Sequence, residues 1–195
     1  MNVSKPLEVD MVFQTIKDKI FSSPELKGET FTEIKFQSCK FASEEIKFSS
    51  FSDCVIDTCD FTTVKMSSVN FENTVFSECK LSWINFSQAQ IKNCKFIHCI
   101  MEGDTFEKNK LVSIDFSGSN LSSSVFINCD LSNADFTRCD LKRGVFDHSK
   151  LIQTILNEAD ISGTSFENCK VQKTALDIDG FISFGLSKGF VLSKD

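Results

Sequence analysis

Residues 121–146, LSSSVFINCDLSNADFTRCDLKRGVF, place an apolar side chain at every fifth position. The same spacing extends in both directions, from Phe31 to Phe181, without one omission over thirty-one positions. Sixteen of these thirty-one residues are Phe. A repeat of this length and regularity predicts that these side chains form one continuous core.

A period of five matches neither an α-helix nor a β-strand. On a helix each step of five would rotate the side chain by about 140° net, and on a strand it would flip it to the opposite face. The chain must therefore turn a corner every five residues to keep these side chains together. If four sides close one coil, twenty residues return the chain above itself, and about eight coils stack at roughly 4.8 Å. The sequence thus predicts an all-β solenoid over residues 29–181.

The residue two before each central position forms a second inward series of mostly small side chains. All nine cysteines of the protein occur in this series. Buried free cysteine packs as a small apolar residue, so we interpret the cysteines as core filling rather than as disulfides or metal ligands. Four polar members predict departures from the regular corner or buried groups with specific partners: Glu44, Asp104, Asn109 and Asp179.

Several of these pentads resemble the pentapeptide repeat family, whose consensus is Ala-Asp/Asn-Leu-x-x with Phe or Leu at the centre. The resemblance is plainest in residues 129–138 (CDLSNADFTR), 119–123 (SNLSS) and 159–163 (ADISG), and the repeat covers about four fifths of the chain. It implies a right-handed quadrilateral β-helix, a handedness that the period alone does not give. No pentad between residues 31 and 181 is lengthened by an inserted loop.

A twenty-residue coil predicts vertical columns of identical side chains inside the rod. Residues spaced by twenty should stack, and aromatic rings stacked in this way bury a large apolar area. We expect one structural core column to consist of Phe86, Phe106, Phe126, Phe146 and Phe166, and a second to consist of Phe76, Phe96, Phe116 and Phe136.

The resemblance also implies a class of function. The chain is similar to topoisomerase-protecting members of the family, which are rod-shaped dimers with an acidic surface that imitates duplex DNA. The resemblance therefore implies a type II topoisomerase as the first expectation for a protein partner. In this chain the candidate partner surface consists of Asp115, Asp130, Asp135, Asp140, Asp147 and Asp160. Two alternatives remain: a solvated face that only keeps the rod soluble, and a scaffold for a different partner with no DNA mimicry.

Outward apolar side chains form a further candidate patch, at Val125, Ile127 and Val145. Other outward apolar residues, such as Trp83, are scattered, which is normal for a protein surface.

Both ends of the repeat need a cover, because an open solenoid end exposes core and strand edges. For residues 1–28 the spacing of Val9, Val12, Phe13, Ile16 and Ile20 predicts an amphipathic helix that caps the rod. Residues 182–195 are expected to fold over the last coil or to join a second copy in a homodimer, as the resemblance suggests. The candidate residues for this cap or dimer contact are Phe181, Phe184, Leu186 and Phe190.

Composition and motifs argue against most other functions. The net charge is −6, with no cluster of Lys and Arg that would bind nucleic acid directly. His98 and His148 point outward two and a half coils apart, and there is no nucleophile motif or phosphate-binding loop. We therefore expect no enzymatic activity, no cofactor and no metal. The absence of a long apolar run or a signal peptide predicts a cytoplasmic protein that does not associate with membranes.

Overall fold

The computed structural model describes residues 14–42, 44–62 and 64–193. These residues form a right-handed quadrilateral β-helix of about eight turns, as predicted, and they include only two helices. The strands are β1 Gln14–Lys17, β2 Ile20–Phe21, β3 Thr30–Thr32, β4 Ile34–Gln37, β5 Lys40–Phe41, β6 Glu45–Lys47, β7 Ser50–Ser52, β8 Val55–Asp57, β9 Lys65–Ser67, β10 Asn70–Glu72, β11 Val75–Ser77, β12 Gln90–Lys92, β13 Lys95–Ile97, β14 Thr105–Glu107, β15 Val125–Ile127, β16 Val145–Asp147, β17 Lys150–Ile152, β18 Ser165–Glu167 and β19 Lys170–Gln172; the helices are α1 Ser23–Leu26 and α2 Ile178–Ser187.

Parallel pairing joins each strand to the strand twenty residues away. Phe36 lies opposite Ile56 and Phe106 opposite Phe126, so the predicted coil length is confirmed. The rod has four faces, which we name by their central residues and every twentieth residue from them. Face A is centred on Phe36, face B on Phe41, face C on Ile46 and face D on Phe51.

The predicted phenylalanine columns fill the interior. On face C the ring centroids of Phe106 and Phe126 are 4.8 Å apart and nearly parallel, and all the rings from Phe86 to Phe166 stack in the same way. On face A the rings from Phe76 to Phe136 stack at 4.5–5.5 Å. The two columns meet edge to face, as Phe116 and Phe126 do at 6.2 Å. This alternation of stacked and edge-on rings is the favourable geometry for aromatic pairs.

The second inward series also lies inside, and its thiols and hydroxyls make a repeated hydrogen bond. Most of them donate to the carbonyl twenty-three residues earlier, as Cys139 Sγ does to Phe116 O at 3.0 Å and Thr164 Oγ1 to Leu141 O at 2.7 Å. Cys59 and Cys99 instead donate to the carbonyl two residues earlier. All nine cysteines are free thiols, eight of them buried and Cys169 half-buried. Thiol and hydroxyl groups are therefore interchangeable in this series, which explains why Cys, Ser and Thr alternate along it.

The prediction of an N-terminal helix is wrong for the part of that segment from residue 14 to residue 21, which the structure describes. Residues 14–17 and 20–21 are strands, and Ile16 pairs with Phe36 as part of a parallel ladder. Ile16, Phe21 and Leu26 continue the five-residue spacing backwards, so the helical pattern and the pentad pattern compete, and pairing with the next coil decides the outcome. The repeat therefore begins before residue 29, and Val9, Val12 and Phe13 lie outside the described residues.

At the other end the repeat stops earlier than predicted. Asp177 caps α2 by accepting the backbone N–H of Gly180 at 2.8 Å, and the helix takes up what would have been the last pentad. Phe181 therefore lies on a helix and is 61% exposed instead of buried in a coil. Phe184 points the other way and packs on Phe166, with ring centroids 5.7 Å apart. The helix thus covers the end of the phenylalanine column.

Candidate functional site

Four of the six candidate aspartates form two stacked pairs on adjacent faces of the rod. Asp115 and Asp135 are bridge partners on face A, and Asp140 and Asp160 are bridge partners on the adjacent face B. We call this set the A–B edge. Lys142 lies between the last two, with its Nζ 3.0 Å from Asp160 and 3.5 Å from Asp140. Hydrogen bonding by Ser162 and the charge of Lys142 lower the pKa of Asp160.

The other two candidate aspartates lie elsewhere. Asp130 is on face D, where its carboxylate is 3.0 Å from Lys150 Nζ, and Asp147 is on face C, where it is 2.8 Å from His148 Nδ1. The hydrogen bond from His148 lowers the pKa of Asp147. The six residues therefore do not form one surface, because the remainder on division by twenty assigns them to all four faces.

Each aspartate of the A–B edge also has a structural role. Asp135 Oδ1 accepts the backbone N–H of Thr137 at 2.8 Å, and Asp115 and Asp140 bond the residue two positions later in the same way. Asn120 makes the identical bond to Ser122 N at 3.0 Å. Asx turns of this kind fix the corner of the coil, so Asp and Asn suit this position whether or not the charge is used.

The C-terminal end of the described chain exposes a cluster of large apolar side chains. Phe181, Leu186 and Phe190 point away from the rod, and Phe190 is 73% exposed. Together with Ile178, Ile182 and neighbouring side chains they line an open groove of about 400 Å³. We call this the terminal apolar face. Of the four residues predicted for a cap or a dimer, Phe184 caps the rod and the other three remain uncovered.

The predicted apolar patch on face C is only half exposed. Val125 pairs with Val145 in the ladder of β15 and β16, and Ile127 lies beside them. Trp83 is more exposed, at 65%, and its ring lies against Gly103, where a Cβ would come within 2.4 Å of the indole. Gly103 therefore allows the indole to lie flat on the corner above it.

Two of the four predicted polar exceptions are buried inside the rod. Asp104 is fully buried, and its Oδ1 accepts the N–H of Ile84 at 2.8 Å. Its Oδ2 has no hydrogen-bond partner within the described part of the chain. Burial raises the pKa of Asp104 well above its ordinary value, because no cation compensates the desolvation of the carboxylate. Asn109 donates to Phe86 O and Ala89 O, both at 3.0 Å.

The other two exceptions are not buried. Glu44 is exposed at a corner of the rod, and Asp179 is exposed in the first turn of α2. Among the residues that the structure describes, no group of three or more His, Cys, Asp or Glu is placed to hold a metal ion. The same residues include no helix that is long and apolar enough to cross a membrane. His98 and His148 are both exposed at corners, and their separation of two and a half coils places them on opposite sides of the rod, as predicted.

Comparison with known proteins gives a consistent picture of the fold. A family model described as "Pentapeptide repeat region" matches residues 29–99, 89–143 and 119–177. Among solved structures, HetL, a pentapeptide repeat protein involved in heterocyst differentiation regulation from the cyanobacterium Nostoc sp. strain PCC 7120, aligns with a TM-score of 0.54 and 11% identity over 84% of this chain and 89% of its own. QnrB1, a plasmid-mediated fluoroquinolone resistance protein, aligns with a TM-score of 0.58 and 14% identity over 93% of this chain and 100% of its own. No curated protein matches the sequence.

Proposed function

This chain belongs to the pentapeptide repeat family, and on that basis we propose that it is a non-enzymatic rod that binds other proteins. The terminal apolar face carries the proposal. Several large apolar side chains, including Phe181, Leu186 and Phe190, are mostly exposed at one end of the rod. Contiguous exposed apolar surface of this kind is typical of protein–protein contacts and is rare on a monomer.

The occupant of the terminal apolar face is a second copy of the chain. A two-fold contact places the same face on both sides, so the exposed rings of one protomer cover those of its partner. The contact lies at the end of the rod, beyond the helix that already covers the core, and it leaves all four side faces open to a further partner.

Light scattering tests the homodimer. The Phe181→Ser/Phe190→Ser variant should be monomeric at micromolar concentration, whereas the unaltered protein should have twice the monomer mass. Phe48→Ser is the matched control, since Phe48 is also 60% exposed but lies at a corner of the rod near the opposite end. A monomeric mass for the unaltered protein would remove the dimer.

For the side faces we propose a type II topoisomerase as partner, which fits the cytoplasmic location expected from the sequence. The fold likeness to a fluoroquinolone resistance protein favours this candidate. The A–B edge supplies the chemistry, because Asp115, Asp135, Asp140 and Asp160 stand in two stacked pairs and can replace DNA phosphates against a basic groove. Lys142 neutralises part of the charge of Asp140 and Asp160, and Lys95 Nζ lies 3.8 Å from Asp115. Asp135, which takes part in no ion pair with the described residues, is therefore expected to matter most.

The test is a gyrase supercoiling assay with and without a fluoroquinolone. Added protein should change supercoiling or protect it from the drug, and Asp115→Asn/Asp135→Asn should weaken the effect while keeping the turns, since Asn120 makes the same bond. The control is Asp53→Asn/Asp57→Asn, which removes equal charge near the opposite end of the rod. No effect at stoichiometric excess would leave the alternative, a scaffold for a different protein without DNA mimicry.

A further inference from the structure

The backbone ladder of the rod is interrupted on both sides of the corner at Gln88. On face D, β12 pairs with β10 below it, but within the described residues nothing pairs it with residues 110–112 above. On face C, Asn85 is bridged to Thr105 above it, but the described chain shows no pairing between residues 85–87 and β9 below. The chain therefore lies closer to the coil above it at residue 85 and closer to the coil below it at residues 90–92.

Two local features account for the step. In the regular ladder, the carbonyl before a strand accepts the N–H of the residue twenty-one positions later, as Asn109 O does from Asp130 N at 3.0 Å. Ala89 O instead accepts the side-chain amide of Asn109. In addition, Ser68 and Lys108, the corner residues below and above Gln88, adopt a left-handed φ of 53° and 59°, whereas Gln88 does not. Its corner is thus built differently.

The break on face D opens a cleft of about 800 Å³ between residues 87–93 and residues 107–113. One coil higher, Leu111 N and Ser113 N donate to Asp130 O and Ser132 O at 2.8 and 2.9 Å. The equivalent donors in the cleft are Ile91 N and Asn93 N, and no such ladder bond to residues 110–112 is present in the described chain. The cleft therefore contains an open strand edge, which is a template for an extended peptide.

The cleft is basic although the protein as a whole is acidic. Lys92, Lys108 and Lys110 line it, with Glu107 as the one acidic side chain among its lining residues. Lys92 is paired with Glu72 on the coil below and Lys108 with Glu107 at 2.9 Å, whereas Lys110 takes part in no ion pair with the described residues. Val112 adds an exposed apolar side chain. Positive charge beside an open strand edge is complementary to an extended acidic segment.

We propose that this cleft binds an extended acidic peptide segment of a partner protein. The peptide backbone pairs with the open edge at residues 90–93, and its carboxylates meet the ammonium groups of Lys92, Lys108 and Lys110. The inference rests on the proposal that the rod binds proteins, but it uses neither the terminal apolar face nor the A–B edge.

Fluorescence anisotropy tests the site with a labelled eight-residue peptide in which glutamate alternates with valine. Binding should weaken at least tenfold in Lys92→Gln/Lys108→Gln/Lys110→Gln and should fall with added salt. The matched control is Lys150→Gln/Lys170→Gln/Lys173→Gln, which removes the same charge from higher coils of face D. A peptide in which lysine replaces glutamate should not bind.

The Asn109→Ser variant tests the open strand edge separately from the charge of the lysines. Serine in this series donates to the carbonyl twenty-three residues earlier, as Ser149 does, and leaves Ala89 O free to restore the ladder. Amide exchange at Ile91 and Asn93 should then slow, and peptide affinity should fall although all three lysines remain. Equal peptide binding by all variants, or no binding at millimolar peptide, would overturn the site. If the peptide does not bind but the protein is a homodimer in light scattering, the proposal that the rod binds other proteins still holds.

Discussion

The Asp104 carboxyl group accepts the backbone N–H of Ile84 from the coil below, at 2.8 Å, inside the rod. In the same series Ser124 Oγ donates to Met101 O, twenty-three residues earlier, at 2.8 Å. The equivalent acceptor for Asp104 is Leu81 O, to which the side chain would have to donate a hydrogen bond. An ionised carboxylate has no proton to donate there. One carboxylate oxygen of Asp104 is therefore hydrogen-bonded and the other is not, and burying the second oxygen without a partner destabilises the folded state.

Asp104→Asn should remove a pH-dependent loss of stability. The folded state holds the proton of Asp104 more tightly than the unfolded chain, so the contribution of this group is fully present below its ordinary pKa of 3.8 and falls as the pH rises above it. Asparagine can donate to Leu81 O at every pH, and we expect the variant to be more stable at pH 7 by about 1–3 kcal/mol. Urea unfolding between pH 4 and 8 should show a widening difference, and parallel curves would contradict the assignment.

Phe126→Ala should be strongly destabilising. Its ring is fully buried and stacks on Phe106 and Phe146 at 4.8 and 4.7 Å, so truncation leaves a cavity in the middle of a column. The expected loss is about 3–5 kcal/mol in the free energy of unfolding by denaturant. Phe48→Ala, at an exposed corner, should change it by less than about 0.5 kcal/mol. Similar effects of the two substitutions would mean that the columns do not hold the rod together.

The thiols should be protected in the folded protein. Burial raises the pKa of Cys94 and Cys129 to about 11 and that of Cys139 to about 12, so they stay protonated at pH 8. A disulfide reagent at pH 8 should modify half-buried Cys169 first. In denaturant, protein purified without reductant should show nine reactive thiols. A lower number, or a bound metal in elemental analysis, would contradict core packing.

Asp135→Asn and Asp135→Ala should separate charge from turn structure. Asparagine keeps the bond to Thr137 N, so the free energy of unfolding should change by less than about 0.5 kcal/mol. Alanine loses that bond and should reduce stability by about 1 kcal/mol. Thermal unfolding at neutral pH checks the pair. If the two variants are equally stable, the aspartate does not stabilise the corner.

Much of the interior could be predicted from the sequence, because the five-residue period repeats one local environment. Once the chain turns a corner every five residues, the columns of Phe106 and Phe126 and the burial of the cysteines follow from residue numbers alone. The same arithmetic assigns Asp130 and Asp147 to faces away from the A–B edge. Grouping the six aspartates as one surface therefore missed a signal that the sequence contains.

The ends and the irregularities required the tertiary structure. Ile16 fits both a helical and a pentad spacing, and only pairing with Phe36 selects the strand. Phe181 fits the pentad series but lies on a helix, because Asp177 starts α2 before that position. Asn109 predicts an exception without saying that its amide would take the Ala89 carbonyl and open face D. The repeating coil follows from the amino-acid sequence alone, since each pentad encodes the same short-range geometry. Where that coil begins, breaks and ends depends on contacts between coils, which no single pentad encodes.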